Sequence, residues 1–221
     1  MEVKKDRKKQ VNKYLIFLLL LTAIVGIYTW FFLVQLKNGD VISVDEVVRN
    51  LLSGISIEFV ITIFTLLTDL GSKWGVIAVL IGMLVFMWWK YRDYLAMVTI
   101  VVVAAGGDQL NKFLKGLIAR ERPLLDPTIY AEGYSFPSGH AMVGIMFYGF
   151  IAYYLITKLQ TKQQKHLIGW MMAIIIFLIG ISRIVLNAHY PTDVFGGFGI
   201  GLILLIILLF AYEGIAKALK K

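Results

Sequence analysis

Long apolar stretches separated by short polar ones make up most of the chain. Six of them are candidate membrane spans, at residues 14–36, 73–90, 94–114, 139–157, 167–188 and 191–212. Most approach the roughly 20 residues that a helix needs to cross about 30 Å of hydrocarbon. They lack the two-residue alternation of barrel strands, so their backbone polar groups must be satisfied within helices. The pattern predicts an all-α fold, a bundle of six transmembrane helices forming one membrane domain over residues 1–221.

The segment 43–70 is the ambiguous part of this pattern, because Glu58 interrupts it and Arg49 and Asp69 bound its apolar portion. Short cytoplasmic loops carry an excess of Lys and Arg. With six spans, the side that holds both termini carries 14 of the 22 basic residues and four acidic ones, whereas the other side carries eight and ten. A seventh span would move the basic N-terminal tail away from the other basic loops. We therefore expect cytoplasmic termini and an interfacial helical segment at 43–70, on the outer face.

The composition agrees with this topology. Hydrophobic residues make up 59% of the chain and charged residues 16%, against about 25% charged residues in soluble domains. We expect a multi-pass protein of the plasma membrane, with a retained signal anchor as its first span and no nucleic acid partner. Cysteine is absent, which excludes disulfides, thiolate metal ligands and a cysteine nucleophile.

Three segments on the predicted outer face carry ionisable side chains at one membrane depth. They are "KGLIARERP" (115–123), "FPSGH" (136–140) and "SRIVLNAHYPTD" (182–193). Ionisable groups at this depth are candidates for function. Each one taken singly also has an ordinary explanation, such as an interfacial anchor for a cation, or a helix N-cap for Ser138. Asp193 in a first helical turn suits the helix dipole.

Taken together, these residues predict a site for a phosphate ester. Lys115 and Arg122 are seven residues apart, and we expect them to project from one side of a helix that ends before Pro123. Arg183 adds a third cation, whose guanidinium can hold two phosphate oxygens. Ser138 and Gly139 begin a helix whose free N–H groups would face an anion.

Two of the three histidines also fall in these segments. A nucleophilic imidazole needs one unprotonated nitrogen and a carboxylate that accepts the other N–H, which His189 and Asp193 can provide. His140 would then protonate the leaving alkoxide. A metal site is the competing chemistry, with Asp126 and Glu132 as further ligands for Mg²⁺, but the ligand set is poor. We expect no metal and no cofactor.

The three segments match, in order and spacing, the three-part signature of the type 2 phosphatidic acid phosphatase superfamily, which this chain resembles. The resemblance implies that His189 forms a phosphohistidine, that Asp193 orients it, and that His140 protonates the leaving group. It implies that water hydrolyses the intermediate without a metal. It further implies that the phosphate is bound by Lys115, Arg122, Ser138, Gly139, His140 and Arg183.

The resemblance also bears on the substrate. Small bacterial members imply phosphatidylglycerol phosphate, with undecaprenyl pyrophosphate, a polyprenyl pyrophosphate, and phosphatidic acid as alternatives. Six spans argue against the soluble vanadium haloperoxidases of the superfamily, and the short loops favour a lipid over the sugar of the glucose-6-phosphatases. A non-hydrolytic lipid or phosphate binding or transport protein is the alternative of another class. We expect selectivity to depend on 43–70 and the loop 124–136. The oligomeric state stays open.

Overall fold

The computed structural model describes residues 26–27, 34, 43–52, 58–123 and 133–219. Apart from three positions, the predicted span 14–36 lies outside these ranges, as do Asp126 and Glu132. The all-α prediction is confirmed, because all regular structure in the described ranges is helical. The helices are α1 (Ser43–Leu52), α2 (Glu58–Asp69), α3 (Lys73–Phe86), α4 (Tyr94–Ile118), α5 (Gly139–Lys158), α6 (Lys162–Val185) and α7 (Pro191–Ala218).

Five of the described helices are long and apolar enough to cross a membrane, namely α3 with a π-helical extension at Met87–Tyr91, and α4 to α7. The shortest of them, α3 with its extension, has 19 residues, which rise about 28 Å. Helices α1 and α2 have ten and twelve residues, too few to cross about 30 Å of hydrocarbon. The chain is therefore a multi-pass membrane protein with two short helices before the first described span.

Helix α5 is the centre of the bundle and packs against α4, α6 and α7. Its inward face consists of large side chains that are almost completely buried, including Phe147, Phe150, Ile151 and Tyr154. The outer helices instead present apolar side chains such as Trp74, Trp170 and Ile207 on their surfaces. Apolar burial stabilises the centre, while the exposed apolar surface suits contact with lipid.

The end of α4 differs from the prediction. We expected a helix through Arg122 that ends before Pro123, whereas α4 ends at Ile118. Ala119 adopts a left-handed conformation with φ 50°, and its N–H donates to the Lys115 carbonyl, which closes the helix. Lys115 therefore lies in the last turn of α4, and Arg122 in the extended segment that follows.

Glycines in α7 permit its close approach to α5. A Cβ at Gly197 would lie 2.8 Å from the Ser138 carbonyl oxygen. A Cβ at Gly201 would lie 2.5 Å from the Met142 carbonyl oxygen and would also meet Ile145. Backbone atoms cannot move aside as a flexible side chain can. These two glycines therefore set the spacing between α5 and α7.

We expect Gly201→Ala to destabilise the protein by about 1–3 kcal/mol, the usual cost of overpacking. The change would be measured as a lower melting temperature in detergent. Gly214→Ala is the matched control in the same helix, because no described atom lies within 4 Å of a Cβ at that position. An equal change in melting temperature for the two variants would contradict close α5–α7 packing.

Candidate active site

The ends of four helices, with the segments that adjoin them, meet on one side of the bundle and carry the predicted site residues. They are the C-terminal turns of α4 and α6 and the first turns of α5 and α7. Lys115 interacts electrostatically with Arg122, Arg183 and Asp193. His140 interacts in the same way with His189 and with the three cations Lys115, Arg122 and Arg183. The fold thus gathers groups that the sequence separates by up to 78 positions.

His189 is buried in the turn between α6 and α7, and its two ring nitrogens face different partners. Nε2 is 3.2 Å from Arg122 Nη1, and Nδ1 is 3.6 Å from Asp193 Oδ2. A guanidinium can only donate, so Nε2 is the acceptor and the ring proton of the neutral imidazole is on Nδ1. This tautomer has its unprotonated nitrogen at Nε2, on the side of the cations.

Asp193 is completely buried and accepts hydrogen bonds at both oxygens. The Tyr190 N–H donates to Oδ2 at 2.8 Å, and Arg120 Nη1 donates to Oδ1 at 2.5 Å. The distance of 3.6 Å from Oδ2 to His189 Nδ1 is longer than a hydrogen bond, so the carboxylate lies near the ring nitrogen without a close contact. Asp193 is thereby fixed behind the histidine ring.

Ser135 fills the gap between these two residues. Its hydroxyl donates to Asp193 Oδ2 at 2.5 Å, and the same oxygen lies 3.4 Å from His189 Nδ1. The serine is fully buried. Sequence reasoning missed this residue, because a serine three positions before Ser138 in a loop has no spacing signature that would connect it to His189.

Two arginines are oriented by neutral oxygen acceptors. Arg122 donates from Nη1 to the Ala188 carbonyl at 2.7 Å and from Nε to the Gly133 carbonyl at 2.8 Å. Arg183 is buried and donates from Nη1 to Thr68 Oγ1 at 2.9 Å. The Arg183 Nε has no partner among the described residues. A buried N–H without a partner carries a desolvation cost, which a phosphate oxygen would remove.

The start of α5 brings a hydroxyl and backbone N–H groups into the same site. Ser138 is the N-cap residue, but its side chain does not cap the helix, contrary to the simplest expectation for a serine there. The Ser138 N–H donates instead to the Asp193 carbonyl at 3.0 Å, and within the described part of the chain its buried Oγ has no partner. The hydroxyl and the first N–H groups of α5 are therefore donors suited to an anion.

Asn111 holds this segment from α4. Its Nδ2 donates to the Pro137 carbonyl at 3.1 Å, and a Cβ at Gly139 would lie 3.0 Å from its Oδ1. The tight fit against Asn111 is a reason for glycine at 139 that the sequence alone does not reveal. His140 packs on the other side against Gly71, where a Cβ would lie 2.7 Å from the ring.

Burial lowers the pKa of His189 from its usual 6.5 to about 4, with Arg122 and Lys115 acting in the same direction and Asp193 opposing them. Burial likewise lowers the pKa of the Arg122 guanidinium, against the charge of Asp193. In the folded protein the His189 ring therefore stays neutral as the pH falls through 6.5, and it takes up a proton only near pH 4.

This pKa can be measured by nuclear magnetic resonance of protein labelled with ¹⁵N-histidine, which has only three histidine signals. We expect the His189 signal to titrate near pH 4. We also expect its ¹⁵N shifts to report protonated Nδ1 and unprotonated Nε2 at neutral pH. A titration at or above 6.5 would contradict the burial and the surrounding cations described for this ring.

Within the described residues, no three His, Asp or Glu side chains are grouped as ligands for a metal ion. Asp126 and Glu132, the further ligands considered from the sequence, lie outside those ranges. The described site thus consists of cations, hydroxyls and backbone donors around one His–Asp pair.

Comparison with known proteins matches most of the chain to one family. The profile of the PAP2 superfamily matches residues 91–215, a range that contains every predicted site residue. The chain is 33% identical over 217 residues to phosphatidylglycerophosphatase B of Bacillus subtilis (strain 168), covering 96% of this chain and 97% of the relative.

Two solved structures share the fold. One is described as the first transmembrane PAP2-type phosphatidylglycerolphosphate phosphatase from Bacillus subtilis. It matches with a TM-score of 0.75 and 28% identity, over 86% of this chain and 96% of that one. The other, LpxE of Aquifex aeolicus, matches with a TM-score of 0.60 and 24% identity over 77% and 96% of the two chains. The second similarity concerns the fold alone.

Proposed function

The chain belongs to the PAP2 superfamily and is a membrane lipid phosphatase, and on this premise we propose that it hydrolyses phosphatidylglycerol phosphate through a phosphohistidine at His189. The names of the relative and of the solved structure from Bacillus subtilis support this substrate. The observation that carries the role of the histidine is the contact of Arg122 Nη1 with His189 Nε2. It directs the lone pair of the ring toward the side where the cations would hold a phosphate.

In the first step, the Nε2 lone pair of His189 attacks phosphorus and the bond between phosphorus and the ester oxygen breaks. The alkoxide that leaves takes a proton from His140, whose charged form is favoured by the bound phosphate dianion. Asp193 stabilises the positive charge that develops on the His189 ring. The products of this step are the free alcohol of the lipid and a phosphohistidine.

In the second step, water attacks the phosphohistidine and His140, now neutral, accepts a proton from it. The bond between Nε2 and phosphorus breaks, and inorganic phosphate and the neutral His189 ring are released. The charge on the equatorial phosphate oxygens is stabilised in both steps by Lys115, Arg122 and Arg183, together with Ser138 and the N–H groups of Gly139 and His140. The residues themselves supply all the groups that the two steps require, so the mechanism needs no metal.

If His140 is the general acid, its replacement should depend on the leaving group. We expect His140→Gln to slow hydrolysis of an alkyl phosphate by about 10²–10⁴-fold, and that of a nitrophenyl phosphate much less, because a phenolate leaves without a proton. The two rates would be measured in the same detergent at the same pH. Equal losses on both esters would show that His140 binds phosphate without donating a proton.

The orientation in the membrane is also part of the proposal. We place the site at the outer face and both termini in the cytoplasm, which is supported by the excess of Lys and Arg on the side of the termini. Lipid substrate would then reach the site from the outer leaflet.

The function is tested by phosphate release from purified protein in detergent with excess chelator. We expect turnover of phosphatidylglycerol phosphate that exceeds turnover of undecaprenyl pyrophosphate. Faster release of phosphate from undecaprenyl pyrophosphate would instead assign the protein to the recycling of this polyprenyl lipid. Phosphate binding without hydrolysis of either lipid would support the binding or transport alternative.

A further inference from the structure

A partly buried arginine next to the site connects two carboxylates. Arg120 donates from Nη1 to Asp193 Oδ1 at 2.5 Å and from Nη2 to Asp45 Oδ2 at 2.7 Å. Its guanidinium also stacks over the Tyr190 ring, at 4.1 Å from the centroid. The planar fork of an arginine suits two carboxylates at once, whereas a lysine ammonium is a single point charge.

The contact with Arg120 determines how the Asp193 carboxylate is rotated. Oδ1 faces Arg120, while Oδ2 accepts from Ser135 and from the Tyr190 N–H and faces His189 Nδ1. Without Arg120, Oδ1 would lose its charged partner, and the carboxylate would be held through Oδ2 alone. Arg120 therefore keeps one oxygen directed at the histidine ring.

Asp45 in turn holds Arg120 and the beginning of α7. Besides Nη2 of Arg120, it accepts from the Thr192 N–H at 3.0 Å and from Thr192 Oγ1 at 2.6 Å. Asp45 is 1% exposed, whereas the adjacent Glu46 is exposed. A buried carboxylate with one cation and two further donors is satisfied as buried charges must be.

The apolar side chains of α1 pack against the helices that carry the site. Val48 and Leu52, three and seven residues after Asp45, share its helix face, and they pack against a buried cluster of Ala141, Ile184 and Val194. Each of these three residues directly follows a predicted site residue in the sequence. Helix α1 thus supports the site through the polar contacts of Asp45 and the apolar contacts of Val48 and Leu52.

We propose that Arg120 and Asp45 are positioning residues for the reaction, which hold the Asp193 carboxylate in the orientation that His189 requires. The proposal rests on the function proposed above. It gives α1 a role in catalysis besides the substrate selectivity that the sequence suggests for 43–70. Asp45 also balances part of the Arg120 charge, because it accepts from Nη2. The negative charge of Asp193 is therefore not fully compensated by Arg120 and can stabilise the His189 ring.

The test compares Arg120→Met, Arg120→Lys and Asp45→Asn with wild type in chelator-containing detergent. We expect Arg120→Met to lower kcat about 10–100-fold, as for other partners that orient a catalytic group. KM should change by less than about threefold, because substrate binding is not altered. Arg120→Lys should recover only part of the rate. A higher KM with unchanged kcat, or full activity of Arg120→Met, would overturn the proposal.

A double variant separates positioning from general destabilisation. If Arg120 acts through Asp193, Arg120→Met combined with Asp193→Asn should be no slower than Asp193→Asn alone. If the rate losses of the two single variants multiply in the double variant, the proposal is overturned. Lys158→Met is the control, because it breaks the ion pair with Asp93 (3.0 Å) at the opposite end of α5, about 30 Å from Gly139.

A readout without turnover distinguishes this proposal from the proposed function. In ¹⁵N-histidine spectra of the ligand-free protein, Arg120→Met and Asp45→Asn should change the His189 ring shifts, and Lys158→Met should not. Unchanged His189 shifts in a folded Arg120→Met or Asp45→Asn variant would overturn the positioning role. If the wild-type protein releases no phosphate, the proposed function is refuted. The His189 ring shifts of the variants would still show whether Arg120 and Asp45 position Asp193.

Discussion

His189→Ala is expected to abolish turnover, with kcat lower by about 10⁴-fold or more, as for removal of other nucleophiles that act in a catalytic unit. The variant should also form no acid-labile phosphoenzyme. The physical reason is that no other described side chain beside the three cations combines an available lone pair with a carboxylate behind it. Rates would be measured as phosphate release from phosphatidylglycerol phosphate, and labelling as phosphate bound to quenched protein.

The matched control for this variant is His166→Ala. His166 is the third histidine of the chain and lies in the first turns of α6, at the opposite end of that helix from Arg183. We expect this control to retain the wild-type rate and labelling. Labelling of His189→Ala at the wild-type level would mean that another residue is the nucleophile.

Arg183→Lys is expected to lower kcat/KM by about 10³-fold, the lower end of what a single arginine contributes to phosphoryl transfer. Thr68 holds one Nη of Arg183, and in the described part of the chain the buried Nε is without a partner. The guanidinium is thus fixed with donors available for two phosphate oxygens. A lysine keeps the charge but cannot present two parallel N–H groups.

The control for Arg183→Lys is the same substitution at Arg92, in the turn between the π-helical extension of α3 and α4. Arg92→Lys should leave kcat/KM unchanged. If Arg183→Lys has wild-type kcat/KM, charge alone is sufficient at that position and the two-oxygen contact has no part in the reaction. A lower melting temperature of Arg183→Lys with unchanged kcat/KM would assign Arg183 to folding.

The sequence was sufficient for the membrane fold and for finding the three segments that the fold brings together. Apolar runs of about 20 residues report directly on spanning helices. The charged residues were found because they interrupt such runs, where a solvated surface charge is not expected. Lys115 and Asp193 are far apart in the chain, but the alternation of spans predicts that both lie on the same side of the membrane.

The supporting residues could not be predicted in this way. Asp45 and Arg120 are 75 positions apart, and Asp45 resembles any acidic residue in the first turn of an amphipathic helix. Ala119 in a left-handed conformation gives no signal, because glycine is the residue expected there, so the end of α4 was placed too late. Ser138 was expected to cap α5, and only the packed structure shows that its hydroxyl makes no capping hydrogen bond.

The central claim is that the phosphoryl group is carried by His189, and the most direct measurement is its location in trapped wild-type enzyme. Turnover of phosphatidylglycerol phosphate with excess chelator would be stopped at alkaline pH, where phosphohistidine persists, and the peptides analysed by mass spectrometry. The account predicts phosphate on Nε2 of His189. Phosphate on any other residue, or turnover under these conditions without any phosphoenzyme, would contradict it.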